Sequence, residues 1–198
     1  LQQKTGTNAL ASAQEHLFKP LGISGVSWPS NPRGITVGYG QIYMRPRDMA
    51  KFGYLYLNNG LWEDKQIIPS RWIKDSTRKH ASTRGPMDYG YQWWTYSQRV
   101  VSEGFVAVND IALAVGRGGQ YIWIAPHLEL VVVSTAWNDN NGKSSSPMFF
   151  RYIVQPFRGV DVINPPELWL VNRRVILNPQ IFGFLFPAHR SPVWSEWA

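Results

Sequence analysis

The chain has 198 residues, 44% of them hydrophobic and 17% charged, a globular composition that excludes disorder and a coiled coil and suits one large domain or one domain plus a tail. Its net charge of +7 is dispersed, with small clusters at Arg45–Arg47, Arg71–Lys79 and Arg173–Arg174, so a nucleic-acid reader, which needs a basic stripe or a known module, is not expected. Cysteine is absent, which removes disulfides, thiolate nucleophiles and Cys-based zinc sites.

Ten Trp, nine Tyr and nine Phe favour a packed core or an aromatic-lined pocket. No apolar run approaches the ~20 residues of a spanning helix, so no transmembrane segment is expected. The start at Leu1 lacks a signal-like pattern. A signal region upstream and the choice between cytoplasm and periplasm both stay open.

In chain order, residues 8–18 read as an amphipathic helix with Asn8 as N-cap and Leu10, Ala13, Leu17 and Phe18 near one face, stopped by Pro20. Residues 20–44 are Gly-, Pro- and Ser-rich loop with room for a short strand. A second helix is expected over 46–58. Pro46 suits the first helical position, Asp48 the first turn, and Met49, Phe52, Leu55 and Tyr56 form a stripe before Asn59-Gly60. A third helix begins at Ser70 and is expected to bury Trp72 and Ile73.

The pattern then turns to short β-branched and aromatic runs: Tyr91–Tyr96, Phe105–Val108, Ile111–Val115, Gln120–Ile124 and Leu130–Thr135. Asn109-Asp110 suits a hairpin turn, and the short connections predict an antiparallel meander. Met148–Val154, after Ser146 and Pro147, reads as a closing helix. Helices, then a meander, then a helix make an α+β class. Residues 158–198 are broken by Pro165, Pro166, Pro179, Pro187 and Pro192 and show no period. Whether they pack on the domain, meet a partner or lack order stays open.

Several segments, in order, resemble the C-terminal half of the β-lactamase-related serine hydrolases, a group that includes class C β-lactamases, penicillin-binding carboxypeptidases, esterases and 6-aminohexanoate-dimer hydrolases. They are Thr5-Gly6 with Leu17-Phe18-Lys19-Pro20-Leu21-Gly22-Ile23, Met44 through Gly53, Asn59-Gly60-Leu61-Trp62, Ile67-Ile68-Pro69 with Trp72-Ile73, Tyr89-Gly90-Tyr91-Gln92-Trp93-Trp94, and Gly116-Arg117-Gly118-Gly119-Gln120. None is specific alone; their shared order and spacing is. The resemblance covers residues 5 to about 157 and implies an antiparallel sheet flanked by helices beside a helical lobe, with the N-terminal part missing. Residues 1–157 are then the C-terminal portion of such a domain, and 158–198 an extension of unknown role.

The family's chemistry is acyl transfer. A Ser attacks an amide or ester carbonyl, a Lys one helical turn later takes its proton, a Tyr motif shuttles protons, and a third motif on a strand lines the cleft. Three fragments here imitate these motifs: Ser76-x-x-Lys79, Tyr56-Leu57-Asn58 and Lys4-Thr5-Gly6. Their order is reversed relative to the family. Lys4-Thr5-Gly6 precedes a helix, Tyr56 and Asn58 sit at a helix end, and Lys79 lies in a polar stretch where its pKa would stay near ~10.4. No catalytic nucleophile, base or Tyr motif is therefore expected in this chain.

The third motif fits better at Arg117, Gly118 and Gly119, with the Gln120 N–H as the oxyanion donor that the resemblance implies. Arg117 stands where the family usually has Lys or His, so it suits pairing with a substrate carboxylate and not proton abstraction. The alternative is a tight hairpin with a solvated Arg. Tyr91, Trp93 and Trp94 are candidate pocket residues; Trp93 and Trp94 must face opposite ways, and which one is core stays open. His16, His80, His127 and His189 lack metal spacing, and no cofactor is expected.

The expected partner is a small-molecule or peptide-like amide or ester, with substrate and oligomeric state unreadable. The segments Tyr89–Trp94 and Gly118–Gln120 tilt toward the esterase or oligomer-hydrolase branch. The alternatives are a non-catalytic ligand-binding relative and a truncated inactive product.

Overall fold

The computed structural model describes residues 2–85, 87–96, 100–102, 105–107, 111–136, 169–171 and 174–176. The expected turn at Asn109-Asp110 and the helix Met148–Val154 lie outside them. Four α-helices and twelve strands are described: α1 (Gln2–Thr5), α2 (Ala9–Ala13), α3 (Pro46–Leu57), β1 (Leu61–Trp62), β2 (Lys65–Gln66), α4 (Ser70–Thr77), β3 (Ala81–Ser82), β4 (Asp88–Tyr89), β5 (Trp94–Thr95), β6 (Val100–Ser102), β7 (Phe105–Ala107), β8 (Ala112–Val115), β9 (Tyr121–Ala125), β10 (Leu130–Ser134), β11 (Trp169–Val171) and β12 (Arg174–Ile176).

The helix expected over 8–18 forms, with a change of pitch. The Asn8 side chain accepts from the Ala11 N–H at 2.8 Å, as an N-cap should. After Ala13 the winding loosens into a π-helical turn over Gln14–Phe18, closed by Lys19 N–H to Gln14 O at 3.0 Å.

The 46–58 expectation holds closely in α3. Arg45 is extended and Pro46 opens the helix. Its end is a Schellman arrangement: Gly60 N–H reaches Leu55 O at 2.8 Å, Asn59 N–H reaches Tyr56 O, and Asn59 is left-handed at φ 52°.

α4 begins at Ser70 as expected but buries Ile73 and Ser76, not Trp72. Positions 73 and 76 share a face at helical spacing. Trp72 projects beside that face, is 49% exposed and stacks on Tyr91 at 5.6 Å.

Six strands form one antiparallel sheet in the order β10-β9-β8-β5-β4-β3. The expected strands over 111–115, 120–124 and 130–135 are its β8, β9 and β10. Two expectations fail. Tyr91–Tyr96 is strand only at Trp94–Thr95, because Gly90 N–H bonds Trp93 O at 2.7 Å and closes a hairpin between β4 and β5. Phe105–Val108 does not join the meander: β7 pairs with β6 in a separate two-stranded sheet, and β5 pairs directly with β8. In the 158–198 segment, β11 and β12 form an antiparallel hairpin that no periodicity announced.

β9 and β10 are apolar on both faces, as interior strands are. One face carries Leu113, Tyr121, Trp123, Leu130 and Val132. The other carries Ala112, Ile122, Ile124, Val131 and Val133 against Ala50, Tyr56 and Ile73 of the helices. α3 lies very close to the sheet. A Cβ added at Gly53 would stand 2.6 Å from Val131 Cγ1 and 2.9 Å from Ile122 Cγ2. A third cluster ties Phe18, Leu21 and Ile23 to Tyr54, Leu55 and Trp62, holding the N-terminal helices to the back of α3. No described helix is long and apolar enough to cross a membrane.

Candidate functional site

The hairpin β8–β9 is closed by residues 116–120, with Gly116 N–H bonding Gln120 O at 2.7 Å. Gly118 and Gly119 have φ of 86° and 107°, a region that favours glycine. The turn is anchored to the end of β10: Ser134 Oγ donates to Gly119 O at 3.2 Å, and Gln120 Nε2 donates to Ala136 O. The Gln120 side chain is thereby committed to structure. Its main-chain N–H, and those of Gly118 and Gly119, donate to no described acceptor. Arg117 is exposed at the tip.

A second turn lies at the same end of the sheet. β5 runs antiparallel to β8 with Trp94 opposite Leu113 and Thr95 opposite Ala112, so the residues before Trp94 sit beside the residues after Val115. The topology thus gathers Gly90–Trp93 and Gly116–Gln120, both singled out in the sequence, at one end of the sheet.

Their side chains then part. Trp93 is 3% exposed and belongs to the core, with ring contacts to Tyr56 at 4.6 Å and Phe52 at 6.2 Å. Trp94 takes the opposite face, half-buried beside the Leu113 cluster and edge-on to Tyr89 at 4.9 Å. Tyr91 is exposed, stacked with Trp72 and, at 3.9 Å, with His80. His80 is fixed through Nε2 to Asp75 O at 2.7 Å. The two Trp face opposite ways as expected; Trp93, a candidate pocket residue, is instead core, and Trp94 packs half-buried on the other face.

The motif imitations are all committed to structure. Ser76 is 1% exposed, and its Oγ donates to Ile73 O at 3.1 Å within α4. Lys79 Nζ is 3.0 Å from Asp88 Oδ1. Asn58 Nδ2 donates to Leu61 O. Lys4 lies on α1.

A cavity of about 470 Å³ opens elsewhere, between the end of α3, α4 and the far ends of β5, β8 and β9. None of Arg117, Gly118, Gly119, Gln120, Tyr91, Trp93 and Trp94 lines it. Sequence reasoning missed it; the one available signal was the basic cluster Arg71–Lys79, three of whose cations stand at its mouth.

Among the described residues three ionisable groups depart from ordinary values; one is the Tyr54 phenol, which burial pushes up from 10.0. Burial pushes the Asp48 carboxyl up from 3.8, against the pull of Lys51 and Arg45. Burial, then the neighbouring Tyr121, pushes the Tyr96 phenol up to about 12.

No family model matches the sequence, and no curated protein gives a significant match. Among solved structures, one from Bacillus anthracis named "Putative 6-aminohexanoate-dimer hydrolase" is similar to this chain with a TM-score of 0.59 and 25% identity. The match covers 70% of this chain and 35% of that one, so the chain spans about a third of that protein's length. The described sheet and helices therefore make a partial β-lactamase/transpeptidase-like fold whose structural relative is a hydrolase by name.

Proposed function

We propose that this chain is the sheet-bearing C-terminal portion of a serine hydrolase that cleaves an amide or ester bond through an acyl-enzyme. The nucleophilic Ser and its Lys come from a segment outside residues 1–198. The observation that carries this reading is the Gly116–Gln120 turn: the N–H groups of Gly118, Gly119 and Gln120 have no acceptor among the described residues, and the turn is tied to Ser134 and Ala136 at the end of the sheet it shares with Gly90–Trp93.

In the proposed reaction a serine oxygen attacks the carbonyl carbon, and the carbonyl oxygen takes up negative charge. The Gln120 N–H donates to that oxygen from a fixed position, which costs no reorganisation at the moment of reaction. Arg117 attracts a carboxylate on the substrate. Trp94, the half-buried member of the Trp pair, is the wall residue on that face.

A second feature supports the portion reading. β10 is apolar on both faces, and among the described residues it pairs with β9 alone. A strand of interior composition at a sheet edge is a pairing surface, suited to a strand from another part of the protein.

The test is ester turnover. Residues 1–198 alone should give no burst with a p-nitrophenyl ester. The protein read from the same frame extended upstream should give one, and Gln120→Pro in it, which deletes the N–H, should lower kcat by about 10²–10³. An extended protein that binds substrate-like ligands without turnover would favour the non-catalytic relative instead.

A further inference from the structure

The segment 27–43, between the N-terminal helices and α3, plays no part in the acyl-transfer reading. It is closed on itself. Ser27 and Tyr43 exchange backbone hydrogen bonds at 3.0 and 2.8 Å. The Trp28 indole N–H donates to Val37 O at 2.7 Å and to Gly40 O at 3.1 Å. Asn31 Oδ1 accepts from the Arg33 and Ile35 N–H groups. These ties leave the large apolar side chains outside: Tyr39 is 82% exposed, Tyr43 65%, Ile35 50% and Ile42 39%. Of the eight large apolar side chains exposed among the described residues, four fall within the nine positions 35–43. Such clustering marks an interaction surface, whereas single exposed apolar residues do not.

Charge indicates the partner. From Gly34 to Met44 the chain has no charged residue, and Arg33 and Arg45 bracket that stretch. No Asp or Glu occurs from His16 to Arg47, and the next carboxylate, Asp48, is buried. Met44 packs inward against the cluster of Phe18, Leu21 and Trp62. Its neighbours Tyr43 and Arg45 lie in extended backbone on either side of it, so they face outward together. An apolar tip with no charge to desolvate, amphipathic tyrosine rings and a cationic margin suit the headgroup layer of a bilayer. Anionic headgroups add attraction to the arginines. A protein partner would need a preformed recess for a ring that projects as far as Tyr39; a fluid headgroup layer takes it without one.

We propose that this segment docks on an anionic phospholipid surface, with Tyr39, Tyr43, Ile35 and Ile42 among the headgroups and Arg33 and Arg45 on lipid phosphates. The contact is peripheral and needs no spanning helix.

The experiment is co-sedimentation of the chain with vesicles of equal parts phosphatidylglycerol and phosphatidylcholine, and with vesicles of phosphatidylcholine alone. Binding is expected on the first and is about ten-fold or more weaker on the second. Tyr39→Ser/Tyr43→Ser keeps the net charge of +7 and should bind the anionic vesicles about ten-fold more weakly. Arg33→Ser/Arg45→Ser should lose at least as much. Trp72→Ser, which removes an exposed ring outside the segment, should bind as wild type does. Wild-type affinity in the tyrosine variant overturns the proposal, because the general attraction of a cationic chain would then account for binding. So does a lack of binding to the anionic vesicles. A dimer in sedimentation velocity that the tyrosine variant dissolves would make the segment a contact between copies and also overturns it. The protein read from the frame extended upstream should bind the same vesicles; its failure to do so would place the segment inside that protein and overturn the proposal.

Discussion

Ser76 and Lys79 have the spacing of a nucleophile and its base, but their surroundings give them different work. A hydroxyl that is buried and bonded to the carbonyl three residues back is a helix-internal contact. Ser76→Ala should therefore shift stability by about 1 kcal/mol or less and leave any acylation of the extended protein unchanged, checked by urea denaturation and ester kinetics.

Asp48 and Tyr96 make pH predictions of one sign. Each folded-state pKa is raised, so each contributes stability that is fully present below the unfolded value and is lost as pH rises through the folded one. For Asp48 the gain appears on acidification from neutral pH toward 3.8. Asp48→Asn should remove that slope, seen as a wild-type-minus-variant difference that grows in favour of wild type as pH falls. For Tyr96 the loss falls between 10.0 and about 12, and Tyr96→Phe should flatten alkaline unfolding in that window.

At the scale of elements, α3 was the most legible. Pro46, Asp48 and the Asn59-Gly60 stop are local signals, and local signals fix a helix whose ends need capping wherever it packs. Its distance from the sheet was not legible, because Gly53 shows its reason only once Val131 and Ile122 stand opposite it. Gly53→Ala should gain helix propensity of about 1 kcal/mol yet lose about 1–3 kcal/mol to overpacking, a net destabilisation that chemical denaturation would read; a net gain would mean that α3 can move outward.

Of the run Tyr91–Tyr96 expected as strand, Tyr91–Trp93 is not strand, for a related reason. Its β-propensity is real, but Gln92 takes φ 64° and the chain turns at Gly90–Trp93 to let β4 pair with β5. Pairing partners, not propensity, set that boundary. Trp72 was similarly beyond reach: neighbouring apolar positions 72 and 73 cannot both face the core of one short helix, and only the sheet's placement decides between them.

For the molecule as a whole, the α+β class and the strands β8, β9 and β10 followed from order and spacing along the sequence. The excursion β6–β7, the open edge of β10 and the cavity did not, since each depends on non-local pairing. The same non-local geometry ties Gly119 and Gln120 to the end of β10, while the N–H groups of Gly118, Gly119 and Gln120 have no acceptor among the described residues. The proposed oxyanion site would use both properties.

Covalent labelling with a fluorophosphonate, mapped by peptide mass spectrometry on residues 1–198 and on the protein read from the frame extended upstream, tests the account most directly. The expected result is an unlabelled chain and, in the extended protein, one adduct on a serine that precedes Leu1. An adduct on Ser76 or any other serine within 1–198, or an extended protein that takes up no label, would contradict it.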